Sequence, residues 1–217
     1  MQLNLHEELL LLALHDKKGT NAFGTALDPG LGGALLAELL LRERVAVRSE
    51  GKKGLVTIVD RRRTGDLLVD EALARLEGAK RRADPKATVM RLTRIPKLRQ
   101  KTARSLCRRG VLRETEGEVL LLFRRRVYPT VDPGPERALI DRVRQALEGD
   151  GEVSPRTAIL VGLADTSGCL AAIYDRRKKK ALAPRLKAIA EEAAAVQATR
   201  GVIEDIQAAI VVTTVIT

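Results

Sequence analysis

Residues 80–126 read KRRADPKATVMRLTRIPKLRQKTARSLCRRGVLRETEGEVLLLFRRR and carry sixteen Lys or Arg against four Asp or Glu. This segment therefore has a net charge of +12, whereas the whole chain has +11 and the remaining residues sum to −1. A charge confined to one segment creates a local field that attracts polyanions. The segment is therefore predicted to bind a negatively charged partner, with an anionic membrane and nucleic acid as the two candidates.

Four cations in this segment share one face of a predicted helix. They are spaced four, three and four residues apart, which gives one narrow stripe at 3.6 residues per turn: Lys97, Lys101, Arg104 and Arg108. The helix is expected to begin near Pro96 and to end at Gly110. Arg99 falls away from the stripe, on the side of Leu98 and Leu106, a position that suits a structural ion pair.

A β-hairpin is predicted directly after this helix. Val111-Leu112 would lie in its first arm, Thr115–Gly117 would form the turn, and the apolar run Val119-Leu120-Leu121-Leu122-Phe123 would be the second arm. The arginines that follow join the exposed cations of the helix in a predicted basic patch: Lys101, Arg104, Arg108, Arg124, Arg125 and Arg126.

The apolar arm of this hairpin predicts an association surface. Side chains alternate along a strand, so Leu120 and Leu122 share one face while Leu121 and Phe123 share the other. One face can pack on the helical body, and the other needs a membrane or a second copy of the chain to cover it. An acidic tip at Glu114–Glu118 would resist an anionic bilayer, which favours a homo-oligomer over deep insertion.

Length and composition favour one compact domain over residues 1–217. Hydrophobic residues make up 45% of the chain, which argues against disorder, and aromatic residues only 2%, so the core must be aliphatic. Asn4, Asp28-Pro29, Asp66 and Ser154-Pro155 are helix-start signals, with Asp28 as an expected N-cap. Val45–Arg48 and Leu55–Val59 predict another hairpin. The predicted fold class is mainly α: a single compact multi-helix domain with two small β-hairpins.

Three local expectations complete the prediction of the fold. Gly32-Gly33 lies inside the second helix and indicates a close neighbour there. Leu67, Leu73 and Leu76 are expected to face inward from the helix that Asp66 begins. The basic run Arg176–Lys180 is interpreted as a solvated loop.

Catalytic and metal-binding patterns are weak in this chain. His6 and His15 are nine residues apart, and Cys107 and Cys169 stand alone, so neither pair has a zinc-ligand spacing. No P-loop or dinucleotide fingerprint occurs. We therefore predict a protein that is not an enzyme, with no catalytic residues, no metal and no cofactor. Apolar runs are far shorter than the roughly 20 residues of a spanning helix, and no signal peptide is recognised, which predicts a cytoplasmic protein with at most peripheral membrane contact.

Two function classes fit the basic segment. The first is a peripheral lipid-binding module. The second is a nucleic-acid-binding protein, because a helix, turn, helix and hairpin also outline a winged-helix domain. The scarcity of aromatic residues argues against stacking on single strands but leaves binding to duplex phosphates open.

Four blocks of sequence are together similar to the Golgi phosphoprotein 3 family, in the order found there. They are Leu5–Leu12, Gly33–Arg42, Thr64-Gly65-Asp66 with Asp70-Glu71-Ala72-Leu73, and Arg109-Gly110-Val111-Leu112. The short, Ala- and Arg-rich chain resembles a bacterial member. The resemblance implies a mostly helical domain that is peripheral to membranes, binds phosphatidylinositol 4-phosphate and cytosolic tails of membrane enzymes, self-associates through the apolar hairpin and has no enzymatic activity.

The same resemblance implies a lipid headgroup site at Arg99, Lys97 and Phe23. The family's pocket uses a tryptophan before the second helix, an arginine in the first turn of that helix, and two arginines three apart in the basic helix. Arg99 matches the second arginine of that pair, while the first falls on Pro96, one residue from Lys97. The tryptophan falls on or beside Phe23, and the first-turn arginine falls on Gly32.

Overall fold

A computed structural model describes residues 2–14, 26–50, 53–119 and 123–195 of the chain. These residues form a mainly helical fold with two separate two-stranded antiparallel hairpins. The helices are α1 (Leu5–Ala13), α2 (Leu27–Leu41), α3 (Leu67–Glu77), α4 (Pro85–Thr93), α5 (Leu98–Arg108), α6 (Gly134–Glu148), α7 (Pro155–Thr166), α8 (Arg176–Ala181) and α9 (Ala183–Ala195). The strands are β1 (Val45–Glu50), β2 (Lys53–Ile58), β3 (Thr115–Val119) and β4 (Phe123–Val127).

Helices α1 and α2 lie at the centre of the fold. Every residue of α1 is buried, and α2 is buried through most of its length as far as Leu39. A helix that is apolar on all sides must be surrounded by other elements, and α1 packs against α2, α5, α6 and α7. Because α2 is enclosed, the helix that precedes the first hairpin has no exposed face for a nucleic-acid groove, unlike the recognition helix of a winged-helix protein.

Gly32 explains the closest contact between α2 and its neighbours. A Cβ atom at Gly32 would lie 2.5 Å from Thr93 Oγ1 and 2.9 Å from the Val89 carbonyl oxygen, both in α4. The predicted close neighbour of the glycine pair is therefore confirmed and is α4. This contact also leaves no space at Gly32 for the arginine that the family resemblance would place there.

Capping residues set most helix starts as the sequence predicts. Asp66 accepts hydrogen bonds from the Leu68 and Val69 amides, and Ser154 accepts one from Thr157. The expected N-cap role of Asp28 is wrong, because the Gly30 amide bonds to the Ala26 carbonyl and α2 begins at Leu27. Asp28 instead lies in the first turn of α2, where the positive end of the helix dipole stabilises its carboxylate.

Two other local expectations are corrected by the structure. Leu67 is 66% exposed, whereas Leu73 is buried as predicted and Leu76 packs against the core. The basic run Arg176–Lys180 lies in the short helix α8 rather than in a loop, because Asp175 accepts a hydrogen bond from the Lys178 amide and caps it. The run is mostly exposed, as expected.

The first hairpin is confirmed, but the second hairpin is shifted along the chain. Strand β1 pairs with β2 so that Glu50 faces Lys53 across the turn. In the second hairpin, Thr115 faces Val127 and Val119 faces Phe123, so the expected turn at Thr115–Gly117 is wrong. The acidic residues lie along β3 rather than at a tip, and Glu116 is directly across from Arg126, a cross-strand arrangement that stabilises this register.

The connection between β3 and β4 consists of Leu120–Leu122, which lies outside the described residues. Of the predicted apolar arm Val119–Phe123, only the backbones of Val119 and Phe123 are described, and they pair with each other as the last residue of β3 and the first of β4. Val111 and Leu112, the expected first arm, are buried in the core, and Leu112 makes an isolated bridge to Thr130.

Candidate functional site

Helix α5 carries the predicted basic stripe on its outer face. Leu98, Thr102 and Leu106 are buried on its inner face, whereas Arg104 and Arg108 are exposed. Lys97 precedes the helix in a left-handed backbone conformation with φ of 57°, and Gly110 has φ of 74° just after it. The predicted start near Pro96 and the stop at Gly110 are therefore confirmed, and the chain turns sharply at both ends of α5.

The N-terminus of α5 is a candidate anion-binding position. No side chain caps it, and its first turn contains no acidic residue. The first backbone amides of a helix have no intrahelical partner and point toward the positive end of the helix dipole. Lys97 is exposed at this end and makes no ion pair with any residue that the structure describes. A phosphate group could accept hydrogen bonds from these backbone amides and from the Lys97 ammonium group.

Arg99 lies one position inside the helix and makes an ion pair with the first turn of α2. Its Nε atom is 2.5 Å from Asp28 Oδ1, and the Arg99 and Asp28 side chains are 38% and 42% exposed. An ion pair this exposed is weakened by solvent. Arg99 therefore makes the predicted ion pair and remains partly accessible at the surface, while its role in a lipid pocket stays a prediction.

Half of the stripe is neutralised by acids from other elements. Lys101 Nζ lies 2.5 Å and 2.6 Å from the two carboxylate oxygens of Glu71 in α3. Arg104 donates to both oxygens of Glu114 over 3.1 Å and 3.3 Å. Arg108 is exposed and has no ion-pair partner in the described parts of the chain. The uncompensated cations of the stripe are therefore Lys97 and Arg108, at its two ends.

Glu114 joins the stripe to the second hairpin. Besides Arg104, it lies 3.2 Å from Arg126 of β4. Hydrogen bonds from Arg104, with the added charge of Arg126, lower the pKa of Glu114. Sequence reasoning took Glu114 for part of an acidic tip and missed this bridge, although its position between two groups of arginines was a signal.

Several predicted site residues are placed only in part. Phe23 and Leu120–Leu122 lie outside the described residues. The backbone of Val119 is in β3, and the backbones of Phe123, Arg124 and Arg125 are in β4. The structure therefore brings Arg99 and Lys97 to one end of α5, and Arg104 and Arg126 to one shared carboxylate.

A buried hydrogen-bond network holds α5 from below. Glu7 is fully buried, and its Oε1 accepts hydrogen bonds from Ser105 Oγ at 2.6 Å and from Arg109 Nε at 2.8 Å. Its Oε2 accepts the Asn4 amide at 2.8 Å. The Glu7 carboxylate thereby fixes the position of α5 against α1.

One group of residues has the composition of a metal site. Ligand atoms of His6, Glu7 and Asp66 lie within 4.8 Å of one another. The Asp66 carboxylate already caps α3 and accepts from Asn4 Nδ2 at 2.9 Å, and both oxygens of Glu7 are bonded as described above. We therefore assign this cluster a structural role in joining α1, α3 and α5.

Among the described residues, no helix is both long enough and apolar enough to cross a bilayer. The family model described as Golgi phosphoprotein 3 (GPP34) matches residues 5–206. A curated relative, the Vacuolar protein sorting-associated protein 74 of Eremothecium gossypii, is 29% identical over 167 residues, which are 67% of this chain and 49% of that protein. The chain thus spans about half the length of the curated relative it matches.

Proposed function

The chain belongs to the Golgi phosphoprotein 3 family, and we propose that it is a peripheral membrane protein that binds anionic phospholipid. The observation that carries the proposal is the cationic end of α5, where Lys97 is unpaired among the described residues and Arg99 is accessible. The proposed role is binding at a cytoplasmic membrane surface rather than catalysis. We further propose that residues 1–217 form one domain, which the single hydrophobic core of the described residues supports.

The lipid headgroup would bind at the start of α5. The uncapped amides, the Lys97 ammonium and the Arg99 guanidinium together suit a phosphate group, because a guanidinium matches phosphate oxygens in a bidentate geometry. A headgroup phosphate would compete with the Asp28 carboxylate for Arg99. Binding of a headgroup like that of phosphatidylinositol 4-phosphate would therefore replace the Asp28 carboxylate at Arg99 with a phosphate group. Phe23 is proposed as a neighbouring contact.

A pair of single variants tests this site. Arg99→Ala should weaken binding to vesicles containing phosphatidylinositol 4-phosphate more than binding to phosphatidylserine vesicles, by about tenfold for one lost charge-assisted contact. Asp28→Asn keeps the shape of the side chain but releases Arg99, and should strengthen binding to the same vesicles. Surface plasmon resonance on the two vesicle types measures both effects.

The outcome that contradicts the headgroup site is equally specific. If Asp28→Asn leaves lipid affinity unchanged and both variants only lower the melting temperature, Arg99 is a structural ion-pair residue. If Arg99→Ala weakens binding to both kinds of vesicle equally, Arg99 contributes only to the general electrostatic attraction of the protein to anionic membranes.

The end of the second hairpin is the proposed apolar contact with the bilayer. Glu116 and Glu118 lie in β3 rather than at a tip, and Glu116 faces Arg126, which weakens the reason to favour self-association over insertion. Five consecutive apolar residues, Val119–Phe123, remain at the end of the hairpin next to Arg124–Arg126. A homo-oligomer formed through this end is the competing role, and the family resemblance adds cytosolic tails of membrane enzymes as possible partners.

Binding to nucleic acid is the weaker alternative. The basic segment would suit duplex phosphates, but the enclosed α2 cannot serve as a groove-reading helix. Competition between anionic vesicles and duplex DNA distinguishes the two functions, since a lipid-binding protein should stay on the vesicles when DNA is in excess. The Ala- and Arg-rich composition supports the further proposal that this is a bacterial member of the family.

A further inference from the structure

The outer face of α4 carries two exposed cations whose side chains have no partner among the described residues. These are Lys86 and the C-cap residue Arg94, and Met90 lies half-buried between them. The three positions are each four residues apart, so they follow one stripe along the helix. Lys97, at the start of α5, comes three residues after Arg94. The inner face of α4 is buried in the core at Pro85, Thr88, Val89 and Leu92.

The acidic residues of the elements around α4 are already bound to other groups. Helix α4 packs chiefly against α2, α3 and β2, and neither α4 nor β2 contains an acidic residue. Asp84, just before α4, accepts the Ala87 amide and caps the helix. The five carboxylates of α2 and α3 have these partners: Arg99 for Asp28, Arg42 and Arg156 for Glu38, Thr64 for Asp70, Lys101 for Glu71 and Arg61 for Glu77. The charges of Lys86 and Arg94 therefore remain available to an anionic partner.

Arg75 of α3 compensates the negative end of α4 where this helix meets α5. The last carbonyl groups of a helix have no intrahelical partner and form the negative end of its dipole. Arg75 donates to the Arg91 carbonyl at 3.1 Å and to the Arg94 carbonyl at 3.2 Å. The Arg91 side chain donates to the Arg81 carbonyl, so it is not one of the free cations. The junction of the two helices thus presents positive charge from both sides, at Arg94 and at Lys97.

We propose that the outer face of α4 is a second contact with an anionic membrane, which continues from the proposed headgroup site at Lys97 and fixes the orientation of the protein on the bilayer. This proposal rests on the proposed function, because it adds a face to the same membrane-bound state. A membrane suits the face better than duplex DNA does, since Met90 is a flexible apolar side chain that can contact lipid between the two cations. Long basic side chains can also lie along apolar surface while their charged ends reach the phosphates.

A fluorescent label on a single cysteine shows which face meets the membrane. Ala87→Cys places the label on α4 beside Lys86, and Ala138→Cys, the matched control, places it at an exposed alanine of α6. Both changes are made in a Cys107→Ser chain, because Cys107 is partly accessible whereas Cys169 is fully buried. On phosphatidylcholine vesicles that contain phosphatidylserine, the label at position 87 should lose its quenching by aqueous iodide. The label at position 138 should be quenched as in the free protein.

A charge variant tests whether the cations themselves hold this face on the membrane. Lys86→Gln with Arg94→Gln should weaken binding to the same vesicles about thirtyfold, which is the attraction expected from two basic residues near the surface. Arg137→Gln with Arg177→Gln makes the same change in charge at exposed positions of α6 and α8, and should bind within about twofold of wild type. Inositol 1,4-bisphosphate, the water-soluble headgroup of phosphatidylinositol 4-phosphate, should bind the wild type and both variants within about threefold in calorimetry, because it contacts only the start of α5.

The outcomes separate the α4 contact from the function on which it rests. If the wild type binds neither anionic vesicles nor the soluble headgroup, the proposed function and the α4 contact both fail. If the wild type binds vesicles but the label at position 87 stays open to iodide, or the α4 variant binds as well as its control, only the α4 contact is wrong. Protection of that label by duplex DNA but not by vesicles would assign the face to nucleic acid instead.

Discussion

Three carboxylates inside the helical core are each matched by an arginine from a distant part of the chain. Glu7 pairs with Arg109, Glu8 with Arg142 at 2.7 Å, and Glu38 with Arg156 at 3.0 Å. Burial would raise the pKa of Glu38, but hydrogen bonds from the Leu5 amide, Arg156 and Arg42 outweigh it and leave that pKa lowered. Burial dominates at Glu8 and raises its pKa. Such buried pairs are costly to break, by about 3–5 kcal/mol when one partner is removed.

His6 lies among these groups and gives the protein a pH-dependent stability. Its ring is fully buried, neither nitrogen has a hydrogen-bond partner among the described residues, and burial lowers its pKa despite nearby Asp66. The folded protein therefore holds fewer protons on His6 than the unfolded chain does. The stability that neutral His6 contributes is complete above the ordinary pKa of 6.5 and is lost as the pH falls below it.

We expect the free energy of unfolding of the wild type to fall as the pH is lowered from about 7.5 to about 5.5. His6 should account for at most about 1.4 kcal/mol of this loss per pH unit. His6→Gln should show a smaller loss over the same range, whatever its stability at neutral pH. Urea unfolding at both pH values measures this difference. Parallel pH dependence in the two proteins would show that His6 does not titrate with unfolding.

At the scale of single residues, the sequence predicted positions better than partners. The helical spacing placed Arg99 on a different side of α5 from the cationic stripe, and the structure agrees. Its partner Asp28 is 71 residues away in the sequence, and the partner of Lys101, Glu71, is 30 residues away. Local periodicity contains no information about such contacts, because they depend on how whole helices pack.

Among the elements, the contact of α2 with α4 depends on the absence of a side chain at Gly32. We expect Gly32→Ala to destabilise the protein by about 1–3 kcal/mol, since the added methyl group meets the Val89 carbonyl oxygen as well as the Thr93 hydroxyl group. Gly78→Ala is the matched control. Its Cβ would lie 3.6 Å from the Ala74 carbonyl oxygen, so we expect it to be neutral or slightly stabilising.

Denaturant unfolding of the two glycine variants measures the contact. If Gly32→Ala is as stable as Gly78→Ala, α2 and α4 can move apart at this position without lowering the free energy of unfolding. In that case the close packing would not explain why this chain lacks an arginine at this position.

The second hairpin is the element whose strand positions its own sequence predicted least well. Because the apolar run is the connection between β3 and β4, Leu121→Ser should reduce vesicle binding and leave the molecular mass unchanged. Sedimentation velocity and vesicle co-sedimentation measure the two properties. A shift to smaller species with vesicle binding retained would instead identify the hairpin as a contact between copies of the chain.

Helix starts and the first hairpin could be predicted because their signals are local. Asp66, Asp84 and Ser154 each cap the helix that follows, and the two strands of the first hairpin lie where their alternating sequence predicts them. The second hairpin has no such turn residues between its strands. Its register agrees with charge pairing across the strands, as between Glu116 and Arg126, and the apolar run alone could not reveal this.

For the whole molecule, the sequence correctly showed one strongly basic segment on a nearly neutral body, but it overstated the charge available to a partner. Glu71 and Glu114 compensate the middle of the α5 stripe. The cations of the α5 stripe that are unpaired among the described residues are Lys97 and Arg108. The proposed membrane-binding face is therefore assigned from the unpaired cations of α5 rather than from the total charge.

Co-sedimentation with phosphatidylserine vesicles tests this central claim most directly. The double variant Lys97→Glu, Arg108→Glu is compared with Arg137→Glu, Arg177→Glu, which has the same net charge but places the change on α6 and α8. At about 1 kcal/mol per basic residue near the surface, the α5 variant should bind about thirtyfold more weakly than wild type, and the control should remain close to wild type. Equal losses in both variants, or no loss in either, would contradict the assignment of α5 as the membrane-binding face.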